Sequence, residues 1–277
     1  MTPRERIKRT LEFKLSDRVG IYDNLPVKTT DKWNKKDFPE FDLALFDADK
    51  INAIEYKKAK DKSLFLTFSF SGPFQKASDV LGLENVLVMM AQDPKALDAV
   101  FSENVESSIN AYSRLKENGF TFDGAWMWSD LAYKNGCYFS IDTYKRMLHS
   151  HHVKLCRYFE KQGLPVIFHC DGNCLSLIPL LLKAGIKALN PLEIDSGFGD
   201  LEFLKKEYYK DLVLFGNMPA LVLEKDKKLI EKVFGERIEI AKAGGGFIYH
   251  GDKPVPETVS LENYQFALHM VKKYGGY

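Results

Sequence analysis

Histidine and carboxylate side chains follow three short apolar runs of the sequence, at positions where β-strands are expected to end. These residues are His169 and Asp171, Glu193, and His250 and Asp252. Residues two apart on a strand point to one face, so each His and Asp pair is expected to present its side chains together. Imidazole nitrogen and carboxylate oxygen bind zinc, and a catalytic zinc site uses about three such ligands and one open position. The residues therefore predict a site for one divalent metal ion or one small substrate, and an oxygen-rich set of ligands would also suit manganese or iron(II).

Other strand ends carry side chains that could contact a substrate. Asp130 follows an aromatic run that ends at Trp128, and Asn217 follows another apolar run. We predict substrate contacts from Trp128, Tyr133 and Asn217. The predicted catalytic residues are Asp130, His169, Asp171 and Glu193. Each has an ordinary alternative, since a turn, a helix cap or an exposed loop also uses such residues.

From about residue 63 onward, short apolar runs alternate with longer amphipathic stretches. Strands are predicted at residues 63–68, 122–128, 165–168, 186–189, 212–215 and 245–249. Helices are predicted at residues 94–118, 141–162, 174–184, 201–209, 227–243 and 261–274. Glycines stand between a helix and the next strand, where a left-handed cap is expected, at Gly119, Gly163, Gly185 and Gly244. Strand followed by helix, repeated, predicts a parallel sheet wrapped by helices.

The predicted strands fit either an open doubly wound sheet or most of an eight-stranded barrel. No glycine-rich dinucleotide fingerprint follows a strand, which disfavours a Rossmann enzyme. Two further strands are expected near residues 19–22 and 43–46. The sequence thus predicts a single (β/α)8 TIM barrel over residues 1–277, with an irregular N-terminal segment, residues 23–62, covering one end. Active-site residues of such barrels lie at the carboxyl ends of the strands, where the polar residues above are expected.

Composition excludes several classes of protein. The formal net charge of +1 implies no basic surface for nucleic acid. No apolar run approaches the roughly 20 residues that cross a bilayer, and the first residues lack the apolar core of a signal peptide. We therefore expect a cytoplasmic protein. Its cysteines are expected to be reduced, mostly as small buried side chains, at Cys137, Cys156, Cys170 and Cys174.

Consecutive segments of the chain resemble motifs of the uroporphyrinogen decarboxylase superfamily. They are Phe168-His169-Cys170-Asp171-Gly172-Asn173, Leu189-Asn190-Pro191-Leu192-Glu193, residues 211–216, Gly244-Gly245-Gly246-Phe247-Ile248-Tyr249 and residues 252–256. The opening Thr2-Pro3-Arg4-Glu5-Arg6 and Ser16-Asp17-Arg18-Val19 resemble the amino-terminal helix and first strand of that superfamily. The resemblance implies a single (β/α) barrel. It also implies either a decarboxylase or a zinc-dependent methyltransferase that works with a corrinoid cofactor carried by a partner protein.

The resemblance leaves the zinc ligand set incomplete. The methyltransferases use a His-x-Cys pair and a distant cysteine, whereas this sequence has Asp171 at the first cysteine position and Lys253 near the second. We expect in first place a metal-dependent methyltransferase, with zinc as the metal, that moves a methyl group between a small molecule and the corrinoid of a partner protein.

Two alternatives stay open at this point. A uroporphyrinogen decarboxylase of porphyrin biosynthesis binds a strongly anionic substrate. The family binds that substrate through an arginine motif soon after the first strand. Residues 19–26 contain no arginine, so this alternative lacks its main counter-charge. The other alternative is a non-catalytic barrel that binds a small molecule or a corrinoid protein, suggested by Lys253 at a ligand position.

Overall fold

The computed structural model describes residues 1–33 and 38–277, so residues 34–37 of the predicted N-terminal segment lie outside the described residues. The α-helices are α1 (Pro3–Leu11), α2 (Val27–Thr30), α3 (Ala53–Asp61), α4 (Pro73–Leu81), α5 (Leu83–Gln92), α6 (Pro94–Glu117), α7 (Ile141–Met147), α8 (His149–Lys161), α9 (Ile178–Ala184), α10 (Leu201–Glu207), α11 (Lys227–Lys242) and α12 (Leu261–Tyr274). The strands are β1 (Gly20–Ile21), β2 (Leu43–Asp47), β3 (Phe65–Ser71), β4 (Gly124–Trp128), β5 (Ala132–Tyr133), β6 (Gly136–Cys137), β7 (Val166–His169), β8 (Ile186–Asn190), β9 (Val213–Phe215) and β10 (Phe247–Tyr249). Short 3-10 helices lie at Leu175–Leu177, Ile194–Ser196 and Ala220–Glu224.

Eight strands form one parallel sheet, and β5 and β6 form a separate antiparallel hairpin. The order in the large sheet is β1-β10-β9-β8-β7-β4-β3-β2. With helices between successive strands, this is the (β/α)8 TIM-barrel fold, so the predicted fold is confirmed. The two strands expected near residues 19–22 and 43–46 are β1 and β2.

The local signals in the sequence explain where the helices begin and end. Asp93 caps α6, because its carboxylate accepts a hydrogen bond from the amide of Ala96, and Pro94 opens the first turn. Positive φ angles of 85°, 75°, 106° and 70° confirm the predicted left-handed glycines, which are Gly119, Gly163, Gly185 and Gly244. None of the described helices is both long and apolar enough to cross a membrane.

One long predicted helix, residues 141–162, is two helices in the structure. Leu148 separates α7 from α8, with φ −121° and ψ −32°. Across this break the Tyr144 hydroxyl lies 2.9 Å from Nδ1 of His152. Residues eight apart in a continuous helix are separated by about 12 Å along its axis, so the break brings this buried pair together.

The described residues form two compact units. Unit 1 consists of Met1–Leu43 and Pro191–Tyr277, and unit 2 consists of Ala44–Asn190. In unit 1 the first part of the predicted N-terminal segment packs on the stretch that follows β10: Thr29 Oγ1 donates to the carbonyl of Val255 at 2.8 Å, and Trp33 Nε1 donates to that of Val259 at 3.1 Å. The core of unit 2 contains stacked and tilted aromatic rings, among them Phe68, Phe70 and Phe159.

Candidate metal centre

Three strands of unit 2 end side by side. The last residue of β4, Trp128, is in register with the last residue of β7, His169. His169 is in turn in register with Asn190, the last residue of β8. The side chains at these carboxyl ends are therefore neighbours, as the strand pattern of the sequence predicts.

Asp130, His169 and Asp171 form a group that could hold a metal ion. Each offers one ligand atom, and these atoms lie within 4.8 Å of one another. The distance from His169 Nε2 to Asp171 Oδ1 is 3.4 Å. Within residues 1–33 and 38–277, no other set of three or more His, Cys, Asp or Glu side chains meets this condition. The structure thus brings together two of the predicted metal ligands and adds Asp130, which the sequence predicted as a catalytic residue.

The imidazole of His169 is held in one orientation. Its Nδ1 lies 2.7 Å from the side-chain oxygen of Asn190. Because an amide oxygen only accepts, Nδ1 carries a proton; in the neutral imidazole the lone pair is therefore on Nε2, and this tautomer can bind a metal through Nε2. The Trp128 ring packs edge-on against the imidazole at 4.3 Å between ring centroids. Both contacts leave Nε2 on the side of Asp171.

The two carboxylates are positioned through the backbone. The amide of Asp171 donates to Asp130 Oδ1 at 2.9 Å, and the amide of Asp130 donates to the Gln75 side-chain oxygen at 3.0 Å. Asp130 is half-buried and Asp171 is exposed. Two carboxylates outnumber the one imidazole in this group, and that excess of acidic side chains favours binding of a cation.

The loop after β7 is packed tightly against the β5–β6 hairpin. Gly172 has φ +80°, and a Cβ atom there would lie 2.8 Å from backbone atoms of Ala132 and Tyr133. The amide of Asn173 donates to the carbonyl of Tyr133 at 2.8 Å. Glycine at this position therefore lets the hairpin reach the loop that carries Asp171.

Cys170, between His169 and Asp171, faces away from the group. Its Sγ accepts from the amide of Leu131 and donates to the carbonyl of Asp171, both at 3.3 Å. Burial raises the pKa of the Cys170 thiol well above its usual value, so the sulfur stays protonated. Cys170 is not a member of the group of ligand atoms, and its two hydrogen bonds assign it a supporting role in the loop.

The other predicted ligands, Glu193, His250 and Asp252, lie in unit 1 and are not members of the group described above. Glu193 accepts from the Ser196 hydroxyl at 2.7 Å, in the loop after β8. Asp252 is buried, and its Oδ1 accepts from the amide of Ala220 at 2.9 Å. Burial raises the pKa of the Asp252 carboxyl. A metal-binding role for these three residues stays a prediction.

His250 belongs to a buried polar cluster that the sequence analysis missed. Its Nδ1 donates to the carbonyl of Gly251 at 2.6 Å, and its Nε2 lies 3.6 Å from Oδ1 of Asp23. The Tyr264 hydroxyl donates to Oδ2 of the same carboxylate at 2.9 Å. Burial raises the pKa of Asp23, and the nearby His250 opposes that rise. The signal for Asp23 was available, because it directly follows the run at residues 19–22.

The predicted substrate-contacting residues differ in their surroundings. Tyr133 is exposed, and its ring stacks on Tyr138 at 5.8 Å. Asn217 is fully buried in unit 1, where its amide donates to the carbonyls of Leu192 and Phe198 at 3.0 and 2.6 Å and its oxygen accepts from Arg237. Asn217 therefore holds loops of unit 1 together. A substrate contact from Trp128, Tyr133 or Asn217 stays a prediction.

Two supporting residues of the candidate centre, Asn190 and Gln75, were not identified from the sequence. Asn190 had a usable signal, since it is the polar residue that ends an apolar run just before a proline. Gln75 lies on α4, far from β4 in sequence, and its contact with Asp130 depends on tertiary packing.

The comparisons with known proteins identify the fold through solved structures and the family through a family model. No curated protein matches the chain. Among solved structures, a methyltransferase from Methanosarcina mazei has a TM-score of 0.76, with 15% identity over 99% of this chain and 99% of that chain. An AP endonuclease of family 2 from Brucella melitensis has a TM-score of 0.52, with 10% identity over 93% of this chain and 99% of that chain. At these identities the structural likeness shows the fold alone. The model of the family described as Uroporphyrinogen decarboxylase (URO-D) matches residues 26–274, and the chain therefore belongs to the uroporphyrinogen decarboxylase family.

Proposed function

We propose that the protein is a metal-dependent methyltransferase that moves a methyl group between a small molecule and a corrinoid cofactor carried by a partner protein. The main support is the group of ligand atoms on Asp130, His169 and Asp171, which lie within 4.8 Å of one another. The methyltransferase from Methanosarcina mazei, which shares the fold over nearly its whole length, supports the same reaction class.

The side chains of this group fit a catalytic divalent metal. One imidazole nitrogen and two carboxylate oxygens are suitable ligands for zinc, manganese or iron(II), and three protein ligands leave a position open for a substrate. Bound there, the metal would act as a Lewis acid that lowers the pKa of a thiol or polarises a methoxy-type substrate. Asn190 would hold the proton of His169 on Nδ1 and keep Nε2 directed at the ion.

The arginines near β1 favour methyl transfer over decarboxylation of uroporphyrinogen. Nη1 of Arg6 and Nη1 of Arg18 lie 2.6 and 2.8 Å from the carboxylate of Asp42, and Nε of Arg6 lies 2.7 Å from Asp17. These guanidinium groups are already neutralised, and residues 19–26 contain no further arginine. A substrate with many carboxylates would therefore find no free counter-charge among these two arginines and no arginine in residues 19–26.

Lys253 takes a separate role in unit 1. Its ammonium lies 2.9 Å from Oδ2 of Asp195 and 3.9 Å from Oδ2 of Asp252. The hydrogen bond to Asp195 raises the pKa of Lys253, and a protonated amine has no lone pair for a metal. We therefore assign the proposed ligand set to unit 2 alone.

Metal content is the decisive measurement. We expect about one divalent metal per chain in protein purified without chelator, and loss of that metal in His169→Ala and Asp171→Ala. His269→Ala and Asp142→Ala serve as matched controls, because both residues are exposed and lie outside the group. These two variants should keep the metal of the unmodified protein.

Activity distinguishes the remaining alternatives. We expect a change in the visible spectrum of a corrinoid when the metal-loaded protein is mixed with a competent methyl donor or acceptor, and no change with His169→Ala. Metal-free protein with unchanged methyl transfer would refute the proposal. Release of carbon dioxide from uroporphyrinogen would establish the decarboxylase instead, and tight corrinoid binding without turnover of any methyl donor would favour a non-catalytic barrel.

A further inference from the structure

A cavity of about 150 Å³ lies in unit 2 at the carboxyl ends of β2, β3 and β4. Asp47, Ser71 and Trp128, the last residues of these strands, line it, and so do Lys76 of α4 and Ser107 of α6. Trp128 also packs against the ring of His169. The cavity therefore adjoins the candidate metal centre, at the end of the strands where (β/α)8 enzymes bind their substrates.

The cavity presents charges of both signs that do not neutralise each other. The ammonium of Lys76 donates to the Ser107 hydroxyl at 2.7 Å, and it forms no ion pair within residues 1–33 and 38–277. Asp47 accepts from the amide of Asp49 at 2.8 Å, and neither carboxylate is paired with a cation of the described chain. A ligand with one positive and one negative group could pair with the carboxylates and with the ammonium.

The volume limits the ligand to a small molecule. A cavity of about 150 Å³ holds a molecule of roughly benzene size, or about five waters at ~30 Å³ each. A tetrapyrrole is far too large for it. A small amino acid has a suitable size, and the apolar residues Phe70, Ala111 and Trp128 are among those that line the cavity.

We propose that this cavity binds a small α-amino acid as a zwitterion, with its carboxylate on Lys76 and Ser107 and its ammonium on Asp47 and Asp49. This assignment rests on the proposed function in one respect: the amino acid would be the small molecule that donates or accepts the methyl group. Binding itself depends on the charges of the cavity and requires neither the metal nor a corrinoid.

Calorimetric titration with alanine, serine, cysteine and methionine tests the proposal. We expect at least one of them to bind, and ethylamine and propionate to bind about tenfold more weakly or less, because each lacks one of the two charges. Lys76→Met and Asp47→Asn should each weaken amino-acid binding about tenfold, whereas Lys76→Arg should largely preserve it. Lys134→Met and Asp142→Asn, which alter exposed residues outside the cavity, should bind as the unmodified protein does.

Two results would overturn the proposal. One is the absence of binding for every amino acid in the panel, and the other is binding that Lys76→Met leaves unchanged in a folded protein. The titration is run on metal-free protein and on His169→Ala as well. Amino-acid binding without any metal uptake would reject the proposed function and keep this site, while a loaded metal centre without amino-acid binding would reject this site alone.

Discussion

Nδ1 of His169 lies 2.7 Å from the side-chain oxygen of Asn190, across the adjoining ends of β7 and β8. This hydrogen bond joins two strands at the point where the candidate metal ligands begin. It selects the imidazole tautomer whose Nε2 carries a lone pair, before any ion binds. A ligand that is already oriented loses less conformational freedom on binding, so Asn190 is expected to contribute to metal affinity without touching the metal.

Asn190→Leu is predicted to weaken metal binding about 10- to 100-fold, the usual effect of removing such a supporting group. Asn190→Asp keeps an acceptor for the Nδ1 proton and should restore most of the affinity. Competition with a chromophoric chelator measures both values. Asn85→Leu, a change on the exposed face of α5, is the control. Equal affinity in Asn190→Leu and in the unmodified protein would show that the hydrogen bond has no part in metal binding.

Gly172→Ala is predicted to destabilise the protein by at least about 2 kcal/mol, because the new methyl group meets the hairpin backbone in addition to the strain of a positive φ angle. Gly119→Ala is the matched control. Gly119 has φ +85°, and no atom lies within 4 Å of the position that its new methyl group would occupy, so only the conformational cost of about 1 kcal/mol applies. Urea unfolding measures both changes, and equal losses would show that the hairpin contact is unimportant.

The sequence predicted most of the fold because the strands of this barrel are short, apolar and followed by regular helices. The hairpin β5–β6 was missed, since each of its strands has only two residues and it is held by a contact between Tyr133 and Asn173 that no local pattern reveals. The break at Leu148 was missed for a similar reason. The helical periodicity continues through it, and a buried contact between Tyr144 and His152 accompanies the break.

The candidate site was predicted in part. Asp130, His169 and Asp171 were identified by their position after strands, which is a local property. The hydrogen bonds that orient them come from Asn190 and Gln75, and those contacts depend on strand register and on the packing of α4. Asp252 also follows a strand, so this criterion could not distinguish it from the members of the group. In the structure Asp252 accepts a hydrogen bond from the amide of Ala220 in unit 1.

The cysteines provide a further prediction. With native protein, iodoacetamide should modify Cys137, which is half-buried, and leave the three fully buried cysteines unmodified. Burial raises the pKa of Cys156 to about 12 and that of Cys170 well above its usual value, so neither forms the reactive thiolate near neutral pH. Mass spectrometry locates the label, and in denaturant all four cysteines should react. Rapid native labelling of Cys170 would contradict the orientation of its side chain towards Leu131.

From the burial of His152 we predict how the free energy of unfolding depends on pH. It is fully buried, and burial lowers its pKa to about 3, from about 6.5 in an unfolded chain. Between these values the unfolded chain binds a proton that the native protein does not, so the free energy of unfolding falls as the pH is lowered from 6.5 towards 3. When the pH is lowered from 7 to 5, this single group should lower the free energy of unfolding by about 2 kcal/mol.

Urea unfolding of His152→Met at both pH values tests this prediction. The variant loses the contact with Tyr144 and starts from a lower stability, so the difference between pH 7 and pH 5 is the quantity to compare. That difference should be about 2 kcal/mol smaller in His152→Met than in the unmodified protein. His269→Met, at an exposed histidine of α12, should keep the original difference. An unchanged difference between pH 7 and pH 5 in His152→Met would contradict the prediction. It would mean that the buried imidazole is protonated in the native protein, which its apolar surroundings oppose.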